Sequence, residues 1–456
     1  MTFTTTTFIL LFLPLLFAGI LLFHKKKTLA YKLLVLLSSL VFYLWAGKKT
    51  FACLLIYSAV VYLFIKILNV RKLQAYRSKV AVIEFIFLLV PLFFVKYAQK
   101  IFPDLNVFFP LGISFFSFQA VSLVMDESRN QISDRYNYFN VLSYLTFFPT
   151  VVSGPILRFN QFNDGFCRNN VSVENVNEGI KKFIFGLAKK MLVANKVAVV
   201  ADYYFDCLNN GVMSSTLGLW VGAIAYSLQL YFDFSGYSDM AIGIGKIMGF
   251  DLPENFNYPY VAKSISDFWK RWHISLTQWF RDYIYFPLGG NRCSVPRHIF
   301  NMLVVWLFTG IWHGSSMNYV LWGLLYFLVL ILEKYCRPFN RFISEKKVVG
   351  HIYSSLVIIL LWVVFRSSSL SLAVTYLSAL FGFNSASVPV ESYTLRMIPF
   401  VIFCIIVSLP VKKCFARFEE TAAYRILETI FLVVVFVLSF STVLNSSFVP
   451  FIYGNF

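Results

Sequence analysis

Long stretches of this chain carry hardly a polar residue, and they recur from one end to the other. Runs such as LLVLLSSLVFYLWA and ILETIFLVVVFVLSF are apolar on every side. A membrane strand would instead alternate apolar and polar residues over about ten positions. The pattern therefore predicts helices, long enough to cross a hydrocarbon core about 30 Å thick. Apolar segments fall at 6–23, 29–46, 51–68, 80–98, 107–125, 139–157, 183–205, 217–249, 299–313, 316–335, 350–366, 370–383, 396–411 and 426–444. Some are too broken to cross in one piece, since FFPTVVSGPILRF (147–159) holds two prolines and a glycine. About ten to twelve true crossings are expected, with re-entrant or interfacial helices between them. The fold class is all-α, a polytopic transmembrane bundle. It is read as one domain over 1–456, because no polar stretch is long enough to build a separate water-soluble one.

Composition agrees with that class: 58% of residues are hydrophobic, and the charged fraction of 14% is roughly half the ~25% usual in soluble domains. The first segment, FILLFLPLLFAGILLF, is followed rather than preceded by basic residues (HKKK). That is the reverse of a cleavable signal, so the segment is expected to remain as a helix. The positive-inside rule places His24 to Lys27 and Arg71 to Lys79 in the cytoplasm, which leaves Lys48 and Lys49 outside. The net charge of +18 is scattered through short loops beside apolar spans. It points to anionic lipid headgroups and not to nucleic acid. The seven cysteines have neither paired nor metal-ligand spacing and read as small core residues.

The longest break in hydrophobicity is 251–298, where Trp269, Trp272, Trp279, Phe280, Tyr283, Tyr285 and Phe286 interleave with Lys270, Arg271, Arg281 and Arg292. Such a segment is expected at the membrane interface, with aromatic faces inward and cations toward water. Asp267 or Ser266 is placed to cap a helix through SLTQWFRDYIYF, which PLGGN then ends.

Five histidines are present. His24, His298 and His351 sit beside basic residues or at a span boundary and read as interfacial. His273 (KRWHISLTQW) and His313 (GIWHGSSMNY) each follow a tryptophan. Taken alone, His313 fits a buried imidazole hydrogen-bonded to a carbonyl, Ser315 or Ser316. It also fits a general base, with Gly314 leaving room for a ligand and Trp312 forming a flat wall. His273 fits either a second polarising group or an interfacial residue without a chemical duty. Asp233 and Asp239 lie in the apolar span YSLQLYFDFSGYSDMAIGIGKIMG (226–249), where carboxylates need partners. Cations of 263–281 or the hydroxyls of Tyr231 and Tyr237 are candidates. Gly243, Gly245 and Gly249 lack a nucleotide-binding context and read as close helix packing.

The runs FPLGISFFSFQAVS (109–122), FFPTVVSGPILRF (147–159), YFDFSGYSDMAIGIGKIMGF (231–250), NFNYPYVAKSISDFWKRWHISLTQWFRDYIYFPLGGNR (255–292), FTGIWHGSSMNYVLWG (308–323) and WVVFRSSS (362–369) together resemble the membrane-bound O-acyltransferases. The similarity is to the bacterial branch that acylates alginate and teichoic acid, in order over nearly the whole chain. The resemblance implies a ring of helices around a thinned funnel in the bacterial inner membrane. It makes His313 of the WHG motif the catalytic base and His273 the second histidine. An acyl thioester, acetyl-CoA, serves as donor substrate from the cytoplasm, with no metal and no permanently bound cofactor. Lys270, Arg271 and Arg281 are suited to the phosphates of coenzyme A. The chain ends PFIYGNF, whose Phe451, Tyr453 and Phe456 match a terminal F-x-Y-x-x-F element thought in related systems to carry the acyl group on tyrosine; otherwise they anchor the interface. A periplasmic or extracellular partner of the SGNH type, with a serine-histidine-aspartate site, would pass the group to a polysaccharide.

Two rivals remain at this stage. One keeps the enzyme class but moves D-alanine from a carrier protein to teichoic acid. The other is a proton-coupled transporter using Asp233, Asp239 and His313, against which the absence of an internal repeat weighs. An inactive membrane scaffold is a third possibility.

Overall fold

All-round apolar sequence leaves the backbone only its own amides and carbonyls to bond with, and the chain is accordingly helical. The structure, a computed structural model, describes residues 2–23, 29–102, 104–105, 107–132, 136–168 and 171–445. Among them, six helices are long and apolar enough to cross a membrane: Leu29–Ala46, Lys48–Leu68, Arg71–Ile101, Met317–Tyr335, Lys347–Arg366 and Ala422–Asn445. Shorter apolar helices cover Phe8–Phe23, Leu370–Leu380 and Ser392–Ser408. Large apolar side chains such as Leu15, Ile56, Ile83 and Val433 point outward, as expected where lipid and not water is the solvent. The protein is an all-α, multi-pass membrane protein.

The chain divides into two compact units. The first holds the described residues up to Leu187, the stretch Tyr237–Glu254 and the last described residues from Val443. Its irregular part is the proline-containing run near 150. There the single helical turn Phe148–Val151 is held from both sides: Tyr144 Oη donates to the Leu157 carbonyl at 2.7 Å and Gln119 Nε2 to Thr150 Oγ1 at 3.1 Å. Non-helical backbone in an apolar setting survives only when protein groups satisfy it in this way. Glycine packing is also concrete here. A Cβ on Gly243 would lie 2.5 Å from the Gly179 carbonyl, so the end of helix Thr216–Ile247 and helix Val173–Ala188 approach backbone to backbone.

The second unit holds Ala188–Gly236 and the described part of Asn255–Thr442. Helices Val295–His313 and Met317–Tyr335 pair through two glycines: a Cβ on Gly310 would meet the Tyr319 carbonyl at 2.5 Å, and one on Gly323 the Trp306 carbonyl at 2.5 Å. One end of this pair and of helix Lys347–Arg366 is basic, with Arg297, Lys334, Arg337, Lys346 and Lys347. The other end holds His313, Ser316, Asn318 and Ser367, and Asn318 Nδ2 there donates to the Ser367 carbonyl at 2.5 Å. Near the basic end, the buried Glu333 carboxylate accepts the Ile265 and Ser266 amides at 2.5 and 2.9 Å. An acid at the N-terminus of helix Ile265–Trp269 is the favoured electrostatic arrangement, and it fastens the aromatic-basic segment to helix Met317–Tyr335.

Within that segment the helix limits differ from the sequence expectation. Helix Ile265–Trp269 is capped by Ser264, whose Oγ accepts from the Asp267 amide at 3.0 Å, and not by Ser266 or Asp267. A second helix, Ile274–Phe280, starts after a break at His273. Glu333 and Ser264 between them satisfy the first three amides of helix Ile265–Trp269.

Candidate active site

Helix Val295–His313 stops at the imidazole because Gly314 takes φ +155°, a conformation that glycine tolerates and β-carbon residues avoid. Ser316 then restarts the chain, its Oγ accepting from the Asn318 amide at 3.3 Å. The space above Gly314 is filled by the Tyr319 ring, which a Cβ would meet at 2.9 Å. The glycine thus admits a neighbouring side chain, where the sequence had suggested room for a ligand.

Aromatic rings enclose the His313 side chain. Trp312 lies 4.6 Å away between centroids, Trp322 stands edge-on at 5.1 Å, Phe365 edge-on at 5.1 Å, and Tyr319 is at 6.1 Å. His313 is 4% exposed. Little of the imidazole is therefore open to a substrate in this conformation.

His273 occupies the left-handed region, φ 44° and ψ 54°, which a residue with a β-carbon enters only when its surroundings compel it. The compulsion comes from Asn255. Its carbonyl accepts the Ile274 amide at 3.0 Å, and its side-chain oxygen accepts from the Ser275 amide at 3.2 Å and from Ser275 Oγ at 2.9 Å. That same oxygen lies 3.1 Å from His273 Nδ1. With the oxygen acting as acceptor throughout, Nδ1 carries the proton and Nε2 the lone pair. The Phe234 ring packs edge-on against the imidazole at 4.6 Å. Burial lowers the pKa of His273 from its ordinary 6.5 to about 3, so it is neutral in any physiological medium.

A pH prediction follows from that burial. The unfolded chain takes up this proton near pH 6.5, whereas the folded imidazole refuses it until about pH 3. The stability contributed is therefore complete above pH 6.5 and is lost as the pH falls through that window. A His273→Gln variant is expected to show a smaller fall in melting temperature between pH 7 and pH 4 than the parent. Equal falls in detergent-solubilised protein would refute the assignment.

Between the two histidines lies a run of tryptophan rings in contact. Trp322, beside His313, stacks on Trp362 at 5.8 Å and 22°. Trp362 in turn lies 5.1 Å from Trp272, the residue before His273. The three cations expected to hold phosphates all reach the surface of the interfacial segment. Lys270 is exposed. Arg271 Nε donates to Asp267 Oδ1 at 2.8 Å, and Arg281 pairs with Asp282 at 3.3 Å while its guanidinium sits 5.8 Å above the Phe286 ring. Tyr453, with Phe451 and Phe456, lies outside the described residues.

The acids found other partners than the sequence suggested. Asp233 pairs with Lys190 at 2.5 Å, both almost wholly buried at 2% and 3% side-chain exposure, and Asp239 lies 3.7 Å from Lys182. Both lysines come from the 173–209 region, where Lys190 lies buried in the π-helical turn Lys189–Ala194. His298 departs further, being 3% exposed and central to a hydrogen-bonded group. Its Nε2 meets Tyr285 Oη at 2.8 Å and Lys334 Nζ at 3.2 Å, and its Nδ1 meets Tyr335 Oη at 2.7 Å. Since Lys334 can only donate, Nε2 accepts and Nδ1 bears the hydrogen. No local signal announces this group, because its members are brought together by helix pairing.

Comparison with known proteins places this geometry. Residues 1–376 match the family described as MBOAT, membrane-bound O-acyltransferase family. A probable alginate O-acetylase of Pseudomonas aeruginosa is 34% identical over 403 residues, covering 84% of this chain and 76% of that protein. A peptidoglycan O-acetyltransferase of Helicobacter pylori is 33% identical, covering 84% and 80%. A teichoic acid D-alanyltransferase of Bacillus subtilis is 30% identical over 260 residues, 54% of this chain and 65% of its own length. Matched over this length, the chain belongs to the membrane-bound O-acyltransferase family and is an acyltransferase of the membrane.

Proposed function

We propose that this protein, in the bacterial inner membrane, moves an acetyl group from cytoplasmic acetyl-CoA across the bilayer for O-acetylation of an envelope or exported polysaccharide, alginate-like or peptidoglycan. The observation that carries the reading is similarity to relatives named O-acetylases and O-acetyltransferases over 84% of the chain. The opposed ends of the second unit fit it. The basic end suits the cytoplasmic leaflet by the positive-inside rule, which leaves His313 at the exoplasmic end.

In this mechanism His313 takes the proton from an attacking hydroxyl as its oxygen bonds to the thioester carbonyl carbon. The carbon–sulfur bond then breaks, and the departing thiolate takes the proton from the imidazolium, leaving coenzyme A as a free thiol. The end of a helix favours the transient positive charge, because its carbonyls present the negative pole. His273, neutral with a lone pair on Nε2, orients or polarises the reacting group without holding the proton. Lys270, Arg271 and Arg281 anchor the donor's phosphates. Tyr453 is the first acceptor, and a partner of the SGNH type passes the group from it to the glycan.

The test is incubation of the purified protein in vesicles with isotopically labelled acetyl-CoA, followed by mass spectrometry of the C-terminal peptide. Label on Tyr453 is expected. Free coenzyme A formed with unlabelled Tyr453 would remove the relay, and intact acetyl-CoA after incubation would remove the donor assignment.

A further inference from the structure

The basic end of the second unit carries more charge than the chain itself answers. Arg297, Lys334, Arg337, Lys346 and Lys347 are all exposed, and none of them meets a carboxylate among the described residues. The contacts they do make are with neutral groups: Lys334 Nζ lies 3.2 Å from His298 Nε2, Arg297 Nε donates to the Leu288 carbonyl at 3.3 Å, and Lys346 sits 5.1 Å from the centre of the Phe342 ring. Residues 295–366 contain only two acids, Glu333 and Glu345, and both are committed elsewhere. Glu333 is buried and accepts from the Ile265 and Ser266 amides and from Tyr353 Oη, while Glu345 pairs with Arg341 at 2.7 Å. Like charges gathered without a counter-charge repel one another and attract an anion.

The kind of anion is set by what adjoins the cations. Leu328 and Leu332, one turn apart and both exposed, run along helix Met317–Tyr335 toward Arg337. Val348, Ile352 and Leu356, exposed at the same spacing, run along helix Lys347–Arg366 away from Lys347. Both helices are long and apolar enough to cross a membrane, so each carries positive charge at the end of a strip of bare hydrocarbon. A soluble anion would use the charges alone; a phospholipid uses both. We infer that this end of the unit binds anionic phospholipid, with the phosphodiester against the cations and the acyl chains along the two strips. The site shares no residue with Lys270, Arg271 and Arg281, and it does not depend on which acyl group the protein moves.

The test places the full-length protein in nanodiscs of phosphatidylcholine, with and without phosphatidylglycerol, and identifies the lipids retained after transfer to detergent by native mass spectrometry. Phosphatidylglycerol is expected to be retained at least tenfold over phosphatidylcholine and to raise the melting temperature. A basic residue at an anionic surface contributes a factor of roughly five, so a variant combining Arg337→Gln, Lys346→Gln and Lys347→Gln should lose the preference while melting like the parent in phosphatidylcholine. A variant combining Lys346→Arg and Lys347→Arg should keep it. Equal retention of the two lipids by the parent, or a preference that survives the triple replacement, would overturn the inference. Glycerol 1-phosphate, the headgroup without its chains, should not displace the lipid; displacement would assign the cations to free phosphate instead. An acidic carrier protein that binds the parent in pure phosphatidylcholine and not the triple variant would likewise overturn the lipid assignment.

Discussion

Replacing His313 with Ala is expected to reduce acyl transfer by a factor of about 10² to 10⁴, the range that a positioned acid–base group supplies. The chain should still reach the membrane in normal amounts. Both halves of the expectation come from the same surroundings. Trp312, Tyr319, Trp322 and Phe365 hold the imidazole in one orientation, so its loss removes the base without disturbing the glycine-mediated helix pairing beneath it. A His313→Gln variant keeps most of the volume and separates chemistry from cavity formation, so it should be as inactive as the alanine variant but melt closer to the parent. The measurement is release of free coenzyme A, alongside membrane abundance and melting temperature. Near-parental turnover in either variant would remove His313 from the mechanism and favour a scaffold or transport role.

The second large effect concerns the ion pair of Lys190 and Asp233, 2.5 Å apart and almost wholly buried. Truncating either partner alone should destabilise the protein by about 3–5 kcal/mol, because it removes the counter-charge of a group already withdrawn from water. Replacing both, as Lys190→Met with Asp233→Leu, should cost much less, since neither desolvated charge remains. The chain neighbour of Asp233 is Phe234, whose ring lies against His273. Single replacements are therefore expected to disturb activity even in the surviving folded fraction. Thermal unfolding of the two single variants and the double variant forms the cycle. A double variant no better than the worse single one would show that the charges act separately and not as a pair.

Part of the site was readable along the chain because its signal is local. His313 stands out as an imidazole between tryptophan and glycine at the mouth of an apolar run, and the aromatic-basic rhythm of 251–298 sets that segment apart from the apolar runs before any fold is known. The glycines of 243–245 announce close packing, and Gly243 does meet the Gly179 carbonyl. The helical class follows for the same reason: all-round hydrophobicity has one economical solution in lipid.

Partners distant in sequence were not readable. Asp233 carries no mark that Lys190, in the π-helical turn Lys189–Ala194, will meet it. The Ser266 amide is taken by Glu333, 67 positions away in the chain. His298 looks like one more basic residue until pairing of the Val295–His313 and Met317–Tyr335 helices brings Lys334 and Tyr335 to its ring.

By itself, then, the sequence determined the solvent, the helical class and the candidate imidazole, because each is written in hydropathy or in a few adjacent residues. Only the tertiary structure decided the tautomer of His273, the aromatic wall around His313 and the pairing of the buried acids. The physical reason is that hydrogen bonds, ion pairs and ring contacts act over a few ångströms in space, and folding alone sets which distant residues come within that range.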